Sequence, residues 1–110
     1  MLSPQIEAAI RTAYVHITIF SPGYADSRWC LDELLLILQK PRDTIIPVFY
    51  NVKPSEVRWA SKEGPYAQAL KKMEDKGRYD CQTLENWIKA LNDVSYRVGF
   101  ELHTYNGLEL

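Results

Sequence analysis

The chain has 110 residues, 46% hydrophobic and 25% charged, with 13 Lys and Arg against 14 Asp and Glu for a formal charge of −1. That length allows one domain with one modest core. The balanced charge excludes the basic excess of a nucleic-acid-binding module, and the longest apolar run, Leu34 to Leu38, falls far short of the ~18 residues of a membrane span.

Taken in chain order, Ser3-Pro4 reads as a helix start, with Ser as N-cap and Pro at the first helical position. Ile6, Ala9, Ile10 and Ala13 follow at helical spacing, giving a short amphipathic helix over 4–13. Val15 to Phe20 (VHITIF) is a β-branched strand, closed by Ser21-Pro22-Gly23. The most apolar helix runs over 28–40, capped by Asp26 or Ser27 and stopped by Pro41. Thr44 to Tyr50 (TIIPVFY) reads as a strand buried on both faces, with an irregularity expected at Pro47, which lacks a ladder donor. One helical turn is expected to start at Ser55. A helix over 65–76 then turns Tyr66, Ala69, Leu70 and Met73 inward and ends at Gly77. Thr83 is read as the cap of a last helix bearing Leu84, Trp87, Ile88, Leu91 and Val94, and Phe100 to Thr104 as a short final strand.

Strands alternating with helices imply right-handed crossovers and a parallel sheet. The expected architecture is an α/β sandwich of three strands with helices on both faces. Its first strand, 15–20, has no earlier strand to pair with and is expected to present an apolar edge that favours self-association.

Cys30 and Cys81 are the only cysteines, and two isolated cysteines read as free thiols in a reducing cytosol. His16 and His103 stand outside any metal-ligand spacing, so no metal centre is expected. No secretory leader is read at the start of the chain. The basic residues Lys53, Arg58 and Lys62 read as a solvated loop face.

In open parallel sheets, ligands bind beyond the carboxyl ends of the strands. Trp29 and Glu33 stand there, four apart on the helix after the first strand. General chemistry leaves two readings of the pair. A ring and a partly desolvated carboxylate can stack a ligand and stabilise a developing cation; equally, Trp29 can be core and Glu33 an acid favoured near a helix start.

The segment Ser27-Arg28-Trp29-Cys30-Leu31-Asp32-Glu33-Leu34, preceded by Phe20-Ser21-Pro22-Gly23-Tyr24-Ala25, closely resembles the third strand and helix of plant-type TIR (Toll/interleukin-1 receptor) domains. Ile45 to Arg58, including Pro47 and the run Lys53-Pro54-Ser55-Glu56-Val57-Arg58, resembles the family's fourth strand and following loop. Leu84 to Leu102, with Trp87, Ala90, Leu91 and Gly99-Phe100, is similar to its last helix and strand. The resemblance implies a flavodoxin-like TIR sandwich of five parallel strands, of which this chain carries about three. The whole chain, 1–110, is thus expected to be a single TIR domain lacking the N-terminal strand-helix-strand portion.

The resemblance further implies a signalling module of plant innate immunity, cytoplasmic, whose partners are other TIR domains. The association surfaces it implies include the helix 83–98 and Gly99. It assigns Glu33 as the catalytic residue and Trp29 as a substrate-binding residue of an NAD+-cleaving enzyme, with NAD+ as substrate and no cofactor. Because half of that pocket has no counterpart here, cleavage by the chain alone is expected to be weak or absent. The alternative is an active NAD+ nucleosidase whose pocket is completed by self-association, releasing nicotinamide and ADP-ribose or cyclic ADP-ribose. A fragment of a longer receptor is the third reading.

Overall fold

The computed structural model describes residues 3–12, 14–40, 44–105 and 108–109. Helix α1 (Pro4–Thr12) begins where Ser3 Oγ accepts the Ile6 N–H at 3.2 Å. Strand β1 (Val15–Phe20) leads through a 3₁₀ turn at Tyr24–Asp26 into α2 (Arg28–Leu38). The cap of α2 is Ser27, whose side chain accepts from the Cys30 N–H. Ala13 and Pro41, read as part of the first helix and as a helix stop, lie outside the described residues.

Strand β2 (Thr44–Tyr50) follows, then α3 (Pro54–Arg58), α4 (Pro65–Asp75), α5 (Cys81–Ser95) and β3 (Phe100–Leu102). Helix α5 starts earlier than its sequence suggests. Asp80, not Thr83, is the N-cap, its carboxylate accepting the Thr83 N–H at 2.7 Å. An N-cap bonds the amide two or three residues on, so Thr83 stands inside the helix that Asp80 opens. The expected final strand divides after Leu102, for Thr104–Tyr105 (β4) pairs antiparallel with Leu108–Glu109 (β5) as a separate ribbon.

The main sheet is parallel in the order β1-β2-β3. Pro47 sits in regular register opposite Thr18, without the expected irregularity. Its carbonyl faces Gly99, so its nitrogen points the same way, toward the β3 side. There the ladder begins only at Val48 and Phe100, and no bond is lost to the missing N–H. Gly99 is required at this joint: a Cβ there would stand 2.0 Å from the Pro47 carbonyl oxygen.

Helices α2 and α5 pack on each other over one face of the sheet, burying His16, Thr18, Phe20, Ile45, Pro47 and Phe49. Trp87 ties the two helices, donating its indole N–H to Asp32 at 3.2 Å. Helix α1 stands at the β1 edge, held by Lys40, whose ammonium donates to the Ile10 carbonyl at 3.1 Å. The opposite face is open. Val15, Ile17 and Ile19 are 56%, 67% and 59% exposed, and Phe100 is 62% exposed. The α/β class and the three parallel strands are as expected, but the second helical layer is absent from the described residues.

Candidate functional site

The loop after β1 is held by aromatic rings. Phe20 meets Tyr24 at 4.6 Å between centroids, and Tyr24 stacks toward Tyr66 of α4 at 6.4 Å. Tyr24 donates its hydroxyl to the Cys30 carbonyl at 2.9 Å, and Tyr66 donates to the Ser21 carbonyl at 2.6 Å. Burial, then the charges of Cys30, Tyr66 and Glu33, push the Tyr24 phenol well above its ordinary value. Burial likewise raises Tyr66, with Cys30, Glu56 and Asp26 adding to it. Both phenols therefore stay neutral donors and fix the loop to α2 and α4.

Glu33 projects from α2 toward the β1 edge. It lines a cavity of about 390 Å³ with Ile17, Ser21, Tyr24 and Cys30, and an adjoining one of about 360 Å³ with Ile10, His16 and Ile37. Its carboxylate is half-buried and makes no hydrogen bond or ion pair among the described residues. An acceptor in that state can take hydrogen bonds from ligand hydroxyls or stabilise a cation.

Trp29 points elsewhere. It is 47% exposed and lines a different cavity, of about 440 Å³, with Arg28, Lys72, Lys76, Arg78 and Tyr79. None of the four cavities described holds both Trp29 and Glu33. A spacing of four puts two Cα atoms on one helical stripe, but the indole lines the cavity beside α4 and not those at the β1 edge.

Arg58, read as part of a solvated loop face, is a clamp between α3 and α5. Its guanidinium donates to Ser95 Oγ at 3.2 Å and to the Ser95 carbonyl at 3.0 Å, and lies 4.0 Å from the Tyr96 ring centroid. A cation at the carboxyl end of α5 also suits that helix's dipole. Lys62 lies over the Trp59 ring at 4.8 Å. Sequence reasoning missed the Asp32–Trp87 and Tyr66–Ser21 ties, which join residues 55 and 45 positions apart. Both cysteines are free. Among the described residues no group of three His, Cys, Asp or Glu could hold a metal, and no helix is long and apolar enough to cross a membrane.

Comparison with known proteins gives this geometry its family. The family model of the TIR domain matches residues 1–107. Disease resistance protein RPP4 of Arabidopsis thaliana is 41% identical over 106 residues, 93% of this chain and 9% of that protein. TMV resistance protein N of Nicotiana glutinosa is 38% identical over 90 residues, 79% of this chain and 8% of that protein. The chain thus spans less than a tenth of these relatives' length. The TIR domains of the activated Roq1 resistosome, which directly recognises the pathogen effector XopQ, superpose with a TM-score of 0.80 at 34% identity, covering 91% of this chain and 61% of that one. By the family model over nearly its whole length and the likeness to these relatives, the chain belongs to the TIR domain family.

Proposed function

We propose that this TIR domain is a cytoplasmic signalling module of plant innate immunity that works by associating with other TIR domains, and that it cleaves NAD+ poorly alone. One observation carries the reading. Glu33 is a carboxylate without an internal partner, and its cavities open along β1, which pairs with no other strand than β2 among the described residues. On that side the described residues leave the site open to a partner domain. The likeness to disease resistance proteins supports the setting, and the two free thiols are in keeping with a reducing compartment.

The chemistry asks little of the protein. When the bond between ribose C1′ and the pyridinium nitrogen breaks, its electron pair leaves on nicotinamide, which departs neutral. No general acid is needed, in contrast to ordinary glycosidases. Glu33 would stabilise the oxocarbenium-like transition state or orient the ribose hydroxyls. Water then adds at C1′ and loses a proton to give ADP-ribose, or a nitrogen of the adenine ring attacks C1′ and the resulting adeninium loses a proton to give cyclic ADP-ribose. Positioning is what an open site lacks, and positioning supplies much of catalysis.

The second reading, an active nucleosidase completed by self-association, is favoured by the same unpartnered carboxylate. Nicotinamide release separates the two. The chain alone is expected to release little, and mixing it with a five-stranded TIR domain is expected to raise release in a way that Glu33→Gln removes. Brisk release by the chain alone, rising with its concentration and lost in Glu33→Gln, would establish the second reading. Absence of any complex with other TIR domains on sedimentation would sink the first.

A further inference from the structure

Strands β1, β2 and β3 send alternate residues to the open side of the sheet, where the rows run Ile17–Ile46 and Ile19–Val48–Phe100. No Lys, Arg, Asp, Glu or His of the three strands stands on that side. Glu101, the one acid among them, shares the register of Phe49 on the covered side. The outward side chains expose apolar surface on the order of 600 Å², the upper end of what a monomer carries in one patch. The two longest helices, α2 and α5, lie on the other face, tied to each other through Asp32 and Trp87.

The β1 edge offers a partner less room than this face. Ile6 and Ile10 of α1 share a cavity with Val15 and Ile17, so that helix already stands along part of the edge. A helix beside an edge strand hinders strand addition. Two copies meeting face to face would together bury on the order of 1,200 Å², the lower bound of a specific interface. The contact needs no second kind of surface, because one patch meets itself about a two-fold axis. It has no charge to desolvate. Two sheets of the same twist also pack in near alignment, about 10 Å apart.

We propose that a second copy of this chain covers the open face, the two three-stranded sheets packing on each other through Ile17, Ile19, Val48 and Phe100. The contact rests on the association reading above for its role, and gives that association a surface. Ile17 and Ile19 also line the Glu33 cavity, so the second copy stands beside that carboxylate. An interface of this size is weak, with a dissociation constant on the order of 10–100 µM, and in dilute solution the face is bare.

Sedimentation equilibrium of the full chain, from well below to well above that constant, tests this. A monomer–dimer equilibrium is expected. Ile17→Lys and Phe100→Lys, on opposite outer strands, should each weaken it at least about tenfold, since each leaves an unpaired ammonium in the contact. Circular dichroism and the urea midpoint in dilute solution should stay as in the parent, for both side chains are exposed. A contact along the β1 edge would respond to Ile17→Lys alone, and one along β3 to Phe100→Lys alone; either result would overturn the face. The unsubstituted chain gives a second readout. The Ile46 and Val48 methyl resonances, on the central strand, should shift as the dimer forms, and methyls that stay still would overturn the proposal. A chain that remains monomeric yet forms a complex with a five-stranded TIR domain would overturn this contact and leave the association reading standing. Absence of both complexes would overturn both.

Discussion

The two faces of the sheet differ in a way that hydrophobicity alone would have assigned backwards. In β1, the residues turned toward the helices are His16, Thr18 and Phe20, while Val15, Ile17 and Ile19 face outward. The register extends the outward set across the sheet: Ile17 lies beside Ile46, and Ile19 beside Val48, itself beside Phe100. The more uniformly apolar face is therefore the open one. Such a surface is made to be covered, and in this chain nothing among the described residues covers it.

The strongest way to break the comparison is to truncate one residue on each face. Phe20 is fully buried, between Tyr24 at 4.6 Å and Phe49 at 5.7 Å. Phe20→Ala should cost about 3–5 kcal/mol by urea unfolding, from lost burial and the cavity left behind. Ile19→Ala, one residue away on the open face, should cost under about 1 kcal/mol. Similar losses at the two positions would mean that the outer face is covered in solution.

Gly99→Ala comes next, because it attacks the joint that both faces share. The added methyl would meet the Pro47 carbonyl oxygen and ring. Relief requires β3 to move off β2, at about 2 kcal/mol, a typical overpacking cost. Hydrogen exchange should then quicken at Asn51, whose N–H donates to the Leu102 carbonyl at 2.9 Å, and leave the β1–β2 ladder protected. Protection lost uniformly would show that β3 is not a separable edge.

Ile17→Lys with Ile19→Lys sharpens the comparison from the open side. Stability should move by no more than about 0.5 kcal/mol per site. Self-association on sedimentation and binding of a hydrophobic dye should both fall, since charge on an edge strand blocks pairing. Wholesale unfolding of this variant would place those two side chains in a core.

Much of this was legible in the sequence, for reasons that differ by element. The helices 4–12, 65–75 and 81–95 carry their inward stripes at helical spacing, and Tyr66, Leu70, Trp87 and Leu91 are buried as that spacing requires. The facing of β1 was not legible. Alternation fixes which residues share a face, but not which face meets the helices, and VHITIF offers apolar residues to both. The separation of Trp29 from Glu33 was hidden for a related reason. Helical spacing places Cα atoms, whereas the cavity that the Trp29 indole lines is walled by α4 residues some 40 positions on. Arg58 looked like solvent-exposed charge because its partner, Ser95, lies 37 positions away.

The smallest effect lies where the covered layer begins. Asp80 caps α5, and its carboxyl is held below the ordinary carboxylate range by hydrogen bonds from the Thr83 amide and hydroxyl. A lowered folded-state value means that this contribution is fully present above the unfolded carboxylate range and is lost as pH falls through the folded one. The first turn of α5 should therefore fray in acid before the rest of the helix, read as faster exchange of the Thr83 and Leu84 amides once the reference rate is corrected for pH. Asp80→Asn keeps a capping oxygen without the titration, so exchange in that variant should be flat over the same range. The α5 residues that reach the sheet side, Trp87 and Leu91, sit two and three turns further on and should not respond. If they loosen together with Thr83, α5 opens as one unit, and the helical layer over the covered face is less independent of its exposed end than its burial implies.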